Sequence, residues 1–334
     1  MDQNNDKNTS MPPETTLFDF QIGGHKHGEG RDKWGVLKHQ NGNILKPLRK
    51  GDSRSVKELE FYENVFEKKR FDPIMQELSH FLPAFCGTWE TSVNGSEMRY
   101  LCLEDVCSSY QKPCVFEAKI GSQTYAPDAT EAKINIELSK SPGGILMGFR
   151  VIGMKVYDDC KNEYLTWDKY YGRSLMPDTV LTALENFFRS QCVSINCWIL
   201  SSFVHKLLLL QEWFMKQRSI AFYGSSLLFV YEGKLSSWQE WAAKQDLNVD
   251  NFTGIDGETF LESKTMQLPK QNNCECGLTR NICMKLSDCS LFKVKMIDFA
   301  HTFSTSEIDS NYIDGLQNLT DKLKELMELY KTRL

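Results

Sequence analysis

The chain has 334 residues, 41% of them apolar and 12% aromatic, enough for one bilobed catalytic domain or two small domains with a full core. A formal net charge of −5 gives no global basic field. Nucleic acid is therefore not expected as a partner, and an anionic ligand would need a local basic pocket.

Met1–Lys7 lacks the apolar stretch of a signal peptide, so the 11 cysteines are expected to be reduced thiols in cytosol or nucleus. No membrane span is expected, because Leu207–Leu210 is bracketed by His205, Lys206, Gln211 and Glu212. Residues 1–20 read as a polar, disordered tail. The Gly-rich run Gly23–Gly30 follows, either a flap over phosphates or a mobile loop, with His25 and His27 facing solvent.

Two strands, Gly35–Gln40 and Asn43–Leu48, flank Asn41-Gly42, a strong hairpin signal with positive φ expected at both turn positions. Lys46 falls on the second strand. Ser55-Val56-Lys57-Glu58 reads as a capping box opening a helix whose apolar stripe is Val56, Leu59, Tyr62, Val65 and Phe66. A strand Lys followed by a helix Glu is the arrangement with which kinases hold nucleotide phosphates, although Glu58 has a rival role as cap partner of Ser55. Glu67-Lys68-Lys69-Arg70 closes that helix, where basic residues are expected. Tyr100–Val106 reads as a further strand.

Pro113–Gly121 carries Glu117 and Lys119 two residues apart. On a strand they share one face, while Phe116, Ala118 and Ile120 take the other. Such a pair suits phosphoryl transfer, in which a hydroxyl is oriented and moving charge neutralised. On these nine residues alone, a surface ion pair on an edge strand competes. Ala129–Ser139 is a helical candidate carrying Lys133, with Lys140 after it.

Strands are expected over Gly148–Tyr157, paired with Tyr164–Tyr171, and over Tyr223–Glu232, the last buried on both faces. Helices are expected over Ser174–Ser190, Val193–Arg218 and Asn311–Arg333, all core elements without assigned chemistry. Lys234–Ser290 reads as a polar insertion. Its Cys274, Cys276, Cys283 and the nearby Cys289 fit no common zinc spacing. Phe292–Met296 alternates apolar and basic residues as a half-buried strand, and Asp298 ends it within an apolar run. A carboxylate there needs a partner, and magnesium shared with nucleotide phosphates is a natural one.

Taken together these blocks resemble the inositol polyphosphate kinases. Pro113–Gly121 is similar to the family signature P-x-x-x-D-x-K-x-G except that Glu117 stands for Asp. Ser225–Gly233 resembles its S-S-L-L block and Ile297–His301 its I-D-F block. Gly153–Tyr157 and Tyr170–Ser174 add to the likeness, which covers roughly Gly24–Leu329 and is strongest to the multikinase branch.

The resemblance implies an α+β, bilobed, protein-kinase-like (ATP-grasp-like) fold of antiparallel sheets and helices. The N-lobe would span 21–107 and the C-lobe 108–334, with inositol-phosphate-binding helices at about 122–145 and an insertion at about 234–290. It implies ATP and Mg²⁺ as cofactors and an inositol trisphosphate as acceptor. Lys46 and Glu58 would hold ATP phosphates, and Glu104 and Val106 would hold adenine through their backbones. Asp105 would reach the ribose or serve as a turn acceptor. Asp298 would bind the metal, Lys119 would contact the acceptor hydroxyl or the γ-phosphate, and Glu117 would touch the ribose or the reaction centre. Lys133, Lys140, His301 and Arg54 would contact substrate phosphates, unless Lys140 merely faces solvent. Ile136 and Glu137 stand where animal multikinases carry glutamines, and an acid there would repel phosphate. Activity on inositol hexakisphosphate, or a weakened scaffold that binds without efficient transfer, remain alternatives. A monomer is expected.

Overall fold

A computed structural model describes residues 11–24, 27–28, 34–188, 193–247, 285–286 and 289–332. The first ten residues, parts of the Gly-rich run including His25, most of the expected insertion, and Cys274, Cys276 and Cys283 lie outside them. The chain divides into two compact units, Met1–Ser108 and Ser109–Leu334.

The first unit is built on a five-stranded antiparallel sheet in the order β1-β2-β3-β5-β4. Its strands are β1 (Thr15–Leu17), β2 (Leu37–His39), β3 (Ile44–Leu48), β4 (Phe85–Val93) and β5 (Ser96–Leu103). Leu37, Leu45, Tyr100 and Cys102 form its buried centre, with Trp89 and Met98 against them. The β2–β3 hairpin exists, yet its turn differs from the expected two-residue form. His39 N donates to Asn43 O at 2.9 Å, and only Gly42 (φ +94) has positive φ. Asn41 therefore escapes the left-handed region, and a three-residue loop with glycine last closes the hairpin.

Helix α1 (Ser53–Glu63) starts two residues before the expected cap. Asp52 is the N-cap, extended at φ −91°, ψ 104°, and its carboxylate accepts from Arg54 N at 3.1 Å. Ser55 Oγ instead accepts from Arg49 N at 3.3 Å, so Glu58 is released from any capping box. A π turn over Asn64–Lys68 prolongs the helix, and α2 (Pro73–Ser79) begins with the Asp72 cap.

The second unit holds a five-stranded antiparallel sheet in the order β11-β10-β6-β7-β8. It comprises β6 (Pro113–Ile120), β7 (Phe149–Asp158), β8 (Glu163–Trp167), β10 (Ser226–Glu232) and β11 (Phe292–Ile297). A two-stranded ribbon joins β9 (Ile220–Phe222) to β12 (Thr302–Ser304). Strand β6 is central and buried almost throughout, which overturns the edge-strand reading of Glu117 and Lys119.

Helices α3 (Glu131–Lys140) and α4 (Pro142–Met147) lead into β7, and α3 includes Lys140 where it was expected beyond the helix. After β8 the chain forms α5 (Lys169–Ser174) and α6 (Val180–Phe187), so Tyr170 and Tyr171 leave the hairpin and the expected helix from Ser174 begins later. Asp168 causes the first difference: its side chain caps α5 by accepting from Tyr170 N and Tyr171 N.

The long helices α7 (Val193–Lys216) and α9 (Ser310–Lys331) pack together, while α8 (Leu235–Lys244) packs on β10. The start of the expected polar insertion is thus a structural helix. Trp238 is buried there and donates from Nε1 to Glu232 O at 2.7 Å. Phe116, Phe187, Phe203 and Phe229 form an aromatic centre beneath the sheet.

Candidate active site

In the first unit Lys46, on β3, donates from Nζ to Glu58 Oε1 on α1 at 2.7 Å. Glu58 is buried, and the Lys46 side chain keeps 29% exposure. A buried carboxylate holding a partly exposed ammonium fixes that cation in one direction, which suits an anionic ligand.

Asp105 is placed as a turn acceptor. It is buried, its Oδ2 accepts from Lys38 Nζ at 2.7 Å, and its Oδ1 accepts from Cys107 N at 2.9 Å. Each oxygen thus accepts one bond from the fold, as the turn-acceptor reading expects, and each keeps a lone pair with which a ribose hydroxyl could still be held. Lys38 was not foreseen; its alternation within β2 was the available signal. Glu104 accepts at Oε2 from Ala84 N at 3.2 Å, and its own N–H donates to Ala84 O. Val106 is buried beside it. Arg54 is exposed and grips the Asp52 cap through Nε and Nη2, each at 2.9 Å.

In the second unit the register brings charged groups together. Lys119 on β6 is opposite Ser226 on β10 and Arg150 on β7, and Ser226 is opposite Ile297 on β11. Opposed residues share a face, so Arg150, Lys119, Ser226 and Ile297 form one row, with Asp298 next along the chain. Glu117 lies two residues earlier on β6, opposite Gly153, where the β6–β7 register shifts. A bulge at that point re-aims side chains beside a site.

Burial pushes the Lys119 pKa down, Asp298 and Glu117 push it back up, and Arg150 adds to the lowering. Desolvation likewise lowers the Arg150 pKa against the pull of Glu137 and Glu117. Asp298 is half-buried and adopts φ +67°, a left-handed conformation uncommon for a residue with a side chain. His301 follows in the turn to β12, its carbonyl accepting from Tyr223 N at 3.0 Å.

Lys133 and Lys140 both donate to Glu137 Oε1, at 2.5 and 2.6 Å, and Arg150 Nη2 stands 4.0 Å from Glu137 Oε2. Burial would raise the Glu137 pKa, but the hydrogen bonds from Lys133 and Lys140 overturn this and hold it at about 2. The acid expected to repel phosphate thus gathers the cations around itself. The sequence places Arg150 on a core strand without assigned chemistry; a cation within the apolar run Phe149–Met154 is the signal that could have singled it out.

Residues 100–324 match the sequence model described as inositol polyphosphate kinase. The chain belongs to the inositol polyphosphate kinase family. It is an ATP-dependent kinase of inositol polyphosphates. The inositol polyphosphate multikinase of Homo sapiens is 30% identical, over 92% of this chain and 88% of that protein. Multikinase beta of Arabidopsis thaliana is also 30% identical, over 93% of each. Inositol hexakisphosphate kinase 2 of Oryctolagus cuniculus is 29% identical, over 72% of this chain and 54% of its own length. The fold of this family member resembles the inositol phosphate multikinase of S. cerevisiae solved with ADP and Mn²⁺, with a TM-score of 0.57 and 22% identity. That likeness covers 85% of this chain and 99% of the yeast one.

Proposed function

We propose that this kinase phosphorylates inositol trisphosphate stepwise to the tetrakis- and pentakisphosphates. The observation that carries the reading is coverage. Similarity to multikinases spans nearly the whole of both chains, whereas the match to a hexakisphosphate kinase stops at about half of that protein. Chromatography of products from tris-, tetrakis- and hexakisphosphate acceptors tests it. Turnover of the first two supports the reading, and a preference for the hexakisphosphate overturns it.

Lys46, held by Glu58, takes the ATP phosphates. Asp298 fits Mg²⁺: it is a hard oxygen donor beside the Lys119 ammonium. Among the described residues no group of three or more His, Cys, Asp or Glu is gathered that would cage an ion alone. Mg²⁺ commonly takes one or two carboxylates and completes its shell with phosphate and water. When bound, it would neutralise phosphate charge.

Lys119 meets the transferring phosphoryl group as negative charge develops there. Glu117 keeps Lys119 protonated and orients the acceptor hydroxyl. Lys133, Lys140 and His301 bind acceptor phosphates. Glu104 and Val106 offer backbone groups to adenine. A monomer in cytosol or nucleus completes the proposal.

A further inference from the structure

Among the described residues of the second unit, Arg150 is a buried charge without a full set of partners. It is 91% buried by its 9% exposure, yet its Nε has no hydrogen-bond partner, and its nearest ion-pair contact, Glu137, is a loose 4.0 Å away. A buried guanidinium with an orphaned Nε is costly unless an anion comes to it. Arg150 lines a cleft together with Ser122, Thr124, Glu137 and Ser141, and β-sheet register sets it directly opposite Lys119.

The Glu137 carboxylate, 9% exposed, already bridges Lys133 and Lys140 above this cleft. Three cations therefore surround one carboxylate as they would surround a phosphate. Helix α3, which carries Glu137, Lys133 and Lys140, contains no buried residue. It can adjust without opening the core.

We propose that Glu137 is a specificity-determining residue whose carboxylate stands in for an acceptor phosphate, and that the inositol polyphosphate displaces it to engage Lys133, Lys140 and Arg150. This rests on the proposed reading of the acceptor. Arg150 then gains the fork-shaped contact its Nε lacks, which suits a phosphate better than one carboxylate oxygen at 4.0 Å. The exchange lowers acceptor affinity, because each bound phosphate must first release the two lysines from Glu137 and then remain near its charge.

The test is calorimetric titration of inositol trisphosphate into the full chain without ATP, paired with acceptor and ATP KM values. Glu137→Gln removes the resident charge, so acceptor affinity is expected to rise about tenfold with KM for ATP unchanged. Arg150→Met is expected to weaken acceptor binding about tenfold, and Arg150→Lys to restore part of it. Equal or weaker binding by Glu137→Gln overturns the proposal, since the carboxylate would then be a ligand or a purely structural brace. Should Arg150→Met fail to fold, Glu137→Gln and Arg150→Lys still decide. Tighter binding by Glu137→Gln in a protein that transfers no phosphoryl group would support the exchange and remove the reading of the acceptor.

Discussion

At the residue scale the proposed chemistry rests on an ammonium whose proton is contested. Lys119 is pushed towards neutrality by burial and by Arg150, and held charged by Asp298 and Glu117. Lys119→Ala is expected to lower kcat about a hundredfold or more, the scale seen when a group stabilising developing charge is lost. Steady-state kinetics with labelled ATP checks it. Glu117→Gln removes one of the three carboxylates that raise the Lys119 pKa, Asp298 and Glu137 being the others, so that pKa falls further. The proposed role requires the protonated form, so the alkaline limb of the kcat/KM profile is expected to move to lower pH in Glu117→Gln. An unmoved limb would detach Glu117 from Lys119. The Glu-for-Asp change in the signature was legible in sequence, but the register shift beside it was not. That bulge depends on β7, whose Ile152 has no opposite number on β6.

At the element scale, local sequence signals located elements well and misjudged their ends. Asp52 outcompetes Ser55 for the start of α1 because it takes the extended backbone a cap needs and accepts from Arg54 N. Asp52→Ala is expected to cost about 1 kcal/mol, read as a lower urea midpoint. Helix α3 offers a pH test. The folded pKa of Glu137, about 2, lies below its ordinary 4.5, so its stabilisation is complete above pH 4.5 and is lost as pH falls towards 2. The gain is small because Lys133 is half exposed, at most about 1 kcal/mol. Thermal melts of wild type and Glu137→Gln should therefore differ at neutral pH and converge in acid. The pattern of α3 announced a helix with two lysines, but no spacing rule announced that Arg150, on the next strand, would meet its glutamate.

At the scale of the whole second unit, the chain leaving β6 is clamped by a helix nearly 200 residues later in the sequence. Asn311, at the start of α9, accepts from Gln123 N at 2.9 Å and donates to Gln123 O at 3.1 Å. Gly315 lies so close that an added Cβ would sit 2.4 Å from Gly148 O and 2.7 Å from Gly121 N. Gly315→Val is expected to destabilise by about 3 kcal/mol, seen as a fall in melting temperature, since backbone on both sides leaves no room to yield. The periodicity of α9 predicted a packing helix and said nothing of this contact. By itself the sequence determined the family, the alternation of the strands and the residue types that chemistry requires, because these are written in local order and spacing. Only the tertiary structure decided that β6 is central, that Asp105 pairs with Lys38, and that Arg150 stands beside Lys119 and Glu137. Those outcomes depend on strand pairing and burial between residues distant in sequence, and no local pattern encodes them.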